Sequence, residues 1–337
     1  MRVIQPKISE KSVELRAQGC LVGQIVGDAL GSQVEFQPPA EIRARFPNGV
    51  RELRGSPIWR TLPGQPTDDS EMALALARTL VRLSRYNKTA AFQAYQAWLT
   101  SGPFDCGGTI LRALTGQPNP ESQANGALMR VSPLGIFGAT VDLHLVAQWA
   151  REDASLTHPY PVCQDANALF AMALSHAIRT GCGPESLYQE IVHWSEELRV
   201  DPRVHETVQR STEEPPADYL THQGWVLVAF GNALWQLLHT RDFEEALVDT
   251  VMRGGDTDTN AAITGALLGA VYGLSAIPER WVRTVLSCRP EEGRPGVERP
   301  RPREYWPVDA LELAASLLAS APIPGSCYHK EPTKEAH

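Results

Sequence analysis

Glycine recurs every fourth residue in two separate stretches of this chain, at Gly19, Gly23, Gly27 and Gly31 and again at Gly265, Gly269 and Gly273. That spacing puts the residues of each run on one face of a helix. A glycine costs a helix about 1 kcal/mol against alanine. A row of them therefore needs a compensating contact, and a face without side chains lets another backbone or a ligand come close. Tight helix packing is the plainer of the two readings. The rest of the chain has the same character. Residues 70–84 carry apolar side chains at helical spacing, with acids first and Arg78 and Arg82 later, as the helix dipole favours. Phe92, Tyr95 and Trp98 share a face of a helix over 89–99. Residues 164–179, 184–198, 222–239, 243–253, 258–273 and 308–320 read likewise as helices. Alternating Val/Ile/Thr runs are nearly absent, so the expected fold class is all-α.

The breaks do not divide the chain. Proline and glycine interrupt residues 54–66, prolines and charges interrupt 200–220, and five prolines make 289–307 an irregular wrap. The acidic motifs described next lie on both sides of these breaks, and no repeat of solenoid length occurs. One compact multi-helix domain over residues 1–325 is expected, with a frayed tail at 326–337.

Composition narrows the function. Hydrophobic residues make up 43% of the 337 residues and charged residues 21%, as in a globular protein. The formal net charge of −8 argues against general binding to nucleic acid, which needs clustered Lys and Arg. The six cysteines form no C-x-x-C pair and no zinc-type cluster. The N-terminal sequence has no apolar signal core, and the apolar stretch from Ala261 to Ile277 reads as a buried helix rather than a membrane span. The expected setting is the cytoplasm, with reduced thiols.

Two acidic motifs each precede an apolar helix. Thr67-Asp68-Asp69-Ser70-Glu71 reads as an N-cap followed by acids in the first turn. Gly254-Gly255-Asp256-Thr257-Asp258-Thr259-Asn260 sets several hard oxygens on one side of a glycine turn, more than a cap requires. If the two turns meet, Asp68, Asp69, Asp256 and Asp258 share one pocket. Carboxylates that close raise one another's pKa or demand a cation. Oxygen donors without His or Cys suit Mg²⁺, Mn²⁺ or Ca²⁺ rather than Zn²⁺. Four carboxylates exceed the needs of one Mg²⁺ and would fully serve two metals about 3.5–4 Å apart.

Five segments in order, GCLVGQIVGDALGSQVEF at 19–36, TDDSEMALAL at 67–76, NGALMRVSPLGIF at 125–137, THPYPVCQDANALFAMAL at 157–174 and GGDTDTNAAITGALLGAVYG at 254–273, resemble the ADP-ribosylglycohydrolase family. The resemblance implies an all-α domain with a cleft for two Mg²⁺ or Mn²⁺ ions, held by Thr67, Asp68, Asp69, Asp256, Asp258 and Thr259. It sets Glu35 near the metals on a mobile loop, Ser122, Asn125 and Gly126 against the ADP-ribose, and His158 near the ribose and diphosphate. By residue type alone Asn125-Gly126 is a tight turn, His158 a capping or loop histidine and Glu35 a solvated acid. The implied reaction is hydrolysis at C1″ of an ADP-ribosylated protein or other ADP-ribose conjugate by a monomer, with Glu35 or Asp69 taking the proton. Modified nucleic acid stays open as a substrate. Arginine-directed members tend to carry an acid where this chain has Ser122, so that position looks more like the serine-directed branch. A non-catalytic, crystallin-like role on the same fold and a two-metal nucleotide or phosphate ester hydrolase are the rivals.

Overall fold

Fifteen α-helices and five short 3₁₀ turns make up the described chain, residues 10–321, in this computed structural model, with no strand among those residues. In order the helices are α1 (Glu10–Gly31), α2 (Pro39–Arg45), α3 (Asp68–Leu83), α4 (Lys88–Thr100), α5 (Gly108–Leu114), α6 (Ser132–Phe137), α7 (Leu143–Ala154) and α8 (Pro161–Thr180). There follow α9 (Pro184–Glu197), α10 (Pro202–Arg210), α11 (Val226–His239), α12 (Phe243–Met252), α13 (Thr257–Tyr272), α14 (Glu279–Ser287) and α15 (Ala310–Ser320). The first nine residues and those from 322 on, including the tail expected at 326–337, lie outside the described residues.

The segments read as helical by apolar spacing appear as α3, α4, α8, α9, α11, α12, α13 and α15. One expected break, 200–220, is a helix over its first part. Pro202 stands at the first position of α10, where a missing N–H costs nothing. Asp201 caps it by accepting the Arg203 N–H, and Val204 and Val208 are buried beneath. The reading also passed over α2, α5, α6, α7 and α14, which are short or weakly patterned. α7 has a legible start, since Asp142 accepts the N–H groups of His144 and Leu145.

The two glycine runs explain the centre of the fold. From Gly19 to Gly31 every residue of α1 is buried, as is α13 from Thr257 to Val271. The two helices lie antiparallel with their glycine faces together. A Cβ on Gly19 would overlap the Gly269 carbonyl oxygen, one on Gly23 that of Gly265, and one on Gly27 that of Ala261. Backbone meets backbone, so neither side can yield. The antiparallel register brings the end of α1 beside the start of α13, where the Thr257 hydroxyl donates to the Gly31 carbonyl at 2.8 Å. Gly27→Ala gains a little helix propensity but forces the two backbones apart. The expected net loss is about 2 kcal/mol, in the range of overpacked cores. Urea denaturation checks this, and an unchanged midpoint would contradict it.

Candidate active site

Three helix ends converge at one point: the end of α1 and the starts of α3 and α13. α3 is fixed there by Asp28, a buried acid inside α1. Its carboxylate accepts the Thr67 N–H at 3.0 and 3.1 Å, the Ser70 N–H at 3.1 Å and the Thr67 hydroxyl at 3.0 Å. Thr67 occupies the N-cap position, but its side chain makes no capping bond. The expectation that Thr67 caps α3 is corrected: Asp28 satisfies the free N–H groups, and the Thr67 hydroxyl lies between Asp28 and Asp69, 3.2 Å from the latter.

The start of α13 is shaped by Gly254 and Gly255, with φ of 74° and 76°, in the left-handed region that suits glycine. Gly255 also passes so close to the Tyr219 carbonyl that no Cβ fits. The two acidic motifs meet across 190 positions, the Thr259 hydroxyl lying 3.4 Å from Asp69 Oδ2. Asp68, Asp69, Asp256, Asp258 and Thr259 line one cavity of about 200 Å³, together with Glu35, Asn125, Gly126 and His158. Thr67 stands just behind them.

Glu35 is not the solvated acid that its residue type alone suggests, and it lies among the acids as the resemblance implies. It is buried, and the Trp59 indole donates to its carboxylate at 2.5 Å. On either side the chain is paired with the glycine turn, through Phe36 N–H to the Gly255 carbonyl at 2.8 Å and Gly255 N–H to the Gln37 carbonyl at 3.2 Å. These bonds hold Phe36 at a φ of 60°, unusual for a bulky residue, and Phe36 lines the cavity while 55% exposed.

Asn125 donates through Nδ2 to Asp256 Oδ2 at 2.7 Å. Its loop is joined to the turn before α11 by an isolated antiparallel bridge, Ala124 to Trp225. Ser122 does not line the cavity; its hydroxyl is 2.8 Å from that of Thr109. His158 is fully buried yet faces the cavity, and its Nε2 has no partner.

Sequence reasoning missed Asp105, which follows α4 in a short loop without periodicity. One carboxylate oxygen of each of Glu35, Asp105 and Asp258 lies within 4.8 Å of the others. The irregular wrap after α14 supports these loops. Arg301 pairs with buried Glu71 of α3 at 2.7 Å and donates to the Ser101 carbonyl at 3.0 Å, just before the Asp105 loop. Arg299 donates to the Trp59 carbonyl at 2.9 Å.

Six carboxylates thus line a cavity that has no Lys or Arg among its lining residues. Burial, then the charge of Asp256, pushes Glu35 up to about 8. Burial pushes Asp68 up to about 6 and Asp28 to about 7. Burial, with Asp68 and Glu35 beside it, takes Asp105 to about 10. Asp69 and Asp258 are also held well above the usual carboxylate range, first by burial and then by neighbouring acids. Asp69 Oδ1 is buried with no hydrogen-bond partner. Such a set of hard oxygen donors fits divalent cations.

A model of the ADP-ribosylglycohydrolase family matches residues 9–314. The chain belongs to the ADP-ribosylglycohydrolase family. Among its relatives is the ADP-ribosyl-[dinitrogen reductase] glycohydrolase of Rhodospirillum rubrum, 32% identical over 80% of this chain and 90% of that protein. The ADP-ribosylarginine hydrolase Tri1 of Serratia proteamaculans is 28% identical over 79% of this chain and 74% of its own length. Human ADP-ribosylhydrolase ARH3 is 24% identical over 79% and 88%. A solved structure described as an ADP-ribosylglycohydrolase-related protein complex superposes with a TM-score of 0.74 at 30% identity, covering 92% of this chain and 99% of that one. The all-α fold and the hydrolase class implied by the sequence resemblance are those of the family. Among the described residues no helix is long and apolar enough to cross a membrane.

Raised carboxyl pKa values favour the protonated folded protein. Stability from this source is full below the unfolded values near 4 and is lost as pH rises through about 6, 7, 8 and 10 for Asp68, Asp28, Glu35 and Asp105. In EDTA the Tm should therefore fall between roughly pH 5 and pH 9. Added Mn²⁺ should raise it most at the alkaline end, where the acids are most readily ionised. Thermal melts across pH with and without Mn²⁺ check this. A metal-induced shift that shrinks with rising pH would contradict it.

Proposed function

We infer that this protein hydrolyses the bond at C1″ of an ADP-ribosylated acceptor and releases ADP-ribose, with two Mg²⁺ or Mn²⁺ ions held by Thr67, Asp68, Asp69, Asp256, Asp258 and Thr259. The observation that carries the reading is the convergence of six carboxylates without a basic side chain, in a chain that matches the family along most of its length. When bound, such cations supply Lewis-acid activation of a water. Glu35 and Asp69 are the candidates to take the proton from that water, and Asp105 joins them. Asn125 orients Asp256 through its amide. Gly126, which has no side chain, and the unpartnered Nε2 of His158 offer the sugar–phosphate part a close approach and a hydrogen bond.

The acceptor reading shifts toward arginine. Asp105, from a loop the motifs do not include, stands in the cavity beside Glu35 and Asp258, and an acid there suits a guanidinium. Ser122, whose hydroxyl is engaged with Thr109, gives little support to serine. The relatives named for dinitrogen reductase and ADP-ribosylarginine agree in direction. A cytoplasmic monomer is part of the same reading. The crystallin-like rival is disfavoured because all four motif aspartates are present and meet. Release of free ADP-ribose from arginine-modified and serine-modified protein, with Mn²⁺ and with EDTA, tests the function. Phosphate release from nucleotides with no release of ADP-ribose would overturn it.

Glu35→Gln should lower kcat about 10²-fold, the range of a lost general base, and leave ADP-ribose binding in Mn²⁺ intact. Steady-state kinetics beside calorimetric binding checks this; a near-normal kcat would move the role to Asp69 or Asp105. Asp256→Ala should fold, because it removes one of several crowded acids, yet lose most of the Mn²⁺-induced rise in Tm. Equal Mn²⁺ shifts in variant and wild type would remove Asp256 from the ligand set.

A further inference from the structure

Behind His158 lies a buried polar chain that the reaction as described does not use. Arg130 is fully buried and paired with Asp153, also fully buried, at 3.1 Å. It stacks over the Tyr95 ring at 4.3 Å, and the Tyr95 hydroxyl donates to Asp153 at 2.9 Å. Arg130 Nη2 donates to the Asp153 carbonyl at 3.0 Å. Nη1 donates to the Gly126 carbonyl at 3.3 Å and to the Thr157 hydroxyl oxygen at 2.9 Å. That oxygen lies 2.7 Å from His158 Nδ1. The other ring nitrogen, Nε2, is buried with no partner, in a residue that lines the cavity.

Counting protons gives this chain a direction. A guanidinium can only donate, so Thr157 Oγ1 is the acceptor of its bond with Arg130. The hydroxyl keeps one proton of its own. Among the described contacts, His158 Nδ1 is the acceptor within its reach. Were Nδ1 protonated instead, the Thr157 hydroxyl proton would be stranded in a fully buried site. The imidazole has little room to turn, since Gly126 packs against its edge and even a Cβ there would lie 3.1 Å from Cε1.

We propose that Thr157, itself aimed by Arg130, is a positioning residue that locks His158 in the Nε2–H tautomer, so that the cavity is offered a fixed neutral hydrogen-bond donor. The inference rests on the reading of His158 as a contact of the sugar–phosphate part of ADP-ribose. It adds that the group facing His158 is an acceptor oxygen of phosphate or ribose, and that His158 does not serve as the general base, because Nε2 carries no free lone pair. The charge of Arg130 adds to burial in keeping the ring neutral, with its pKa lowered to about 3.

The test is the nitrogen NMR spectrum of the ¹⁵N-histidine-labelled full chain, with the His158 signals assigned by their loss in His158→Gln. The wild type should show Nε2 protonated and Nδ1 bare, unchanged across neutral pH. Thr157→Val removes the hydroxyl at nearly constant volume. It should give a mixed or reversed tautomer and weaken ADP-ribose binding in Mn²⁺ about tenfold, the scale of one hydrogen bond. KM should rise more than kcat falls, and Thr157→Ser should restore both spectrum and affinity. A wild-type spectrum with Nδ1 protonated overturns the proposal, and so does a folded Thr157→Val protein with unchanged tautomer and affinity. If Thr157→Val fails to fold, the wild-type spectrum and Thr157→Ser still decide. Wild-type protein that binds no ADP-ribose would count against the glycohydrolase reading, while the spectrum alone would still judge the tautomer.

Discussion

The glycine-faced contact between α1 and α13 is the constraint on which the site depends. Because no side chain separates the two backbones, their register is set by carbonyl oxygens seated against Cα atoms, at Gly19 and Gly269, Gly23 and Gly265, and Gly27 and Ala261. A helix pair separated by leucines could slide or rock by the difference between rotamers. This pair has no such freedom. The end of α1 and the start of α13 are consequently fixed against each other, and Glu35 and Asp258 with them.

The acids are held by a division of labour. Asp28 lies deeper than the cavity and bonds the free N–H groups of α3, so it acts on Asp68 and Asp69 from behind. Asn125 bonds Asp256. Trp59 bonds Glu35, and Asp68 accepts the Gly107 N–H at 3.2 Å. Asp69 Oδ1 remains without a partner. Hydrogen bonds orient part of the constellation and leave its charge uncompensated, which is the condition under which a bound cation gains most.

The longer, strongly patterned helices and the four motif aspartates were legible in the sequence because both signals are local. Apolar spacing marks a helix, and a run of hard oxygens after a turn residue marks its acidic start. Asp28 was hidden inside an apolar helix, although an acid in a stretch otherwise free of charge signals a buried partner. Asp105 had no periodic context at all. The burial of Glu35 was not legible from its neighbours, a glycine segment before and prolines after, which describe a loop, because that burial comes from Trp59 and the Gly255 turn. Ser122 had the right spacing in the chain, but the direction of its hydroxyl is set by Thr109. In these cases the deciding partner lies well away in sequence.

The glycine seam also bears on how the protein is made. Gly31 and Thr257 are 226 positions apart, so α1 leaves the ribosome long before the helix that covers it exists. Its middle is largely apolar and carries a flat face fit for another backbone. Until α13 is synthesised, that surface has no partner of its own and can associate with other nascent chains. Neither end of the domain can complete the site alone. Completion of the seam, and of the site it fixes, is therefore a late event in synthesis.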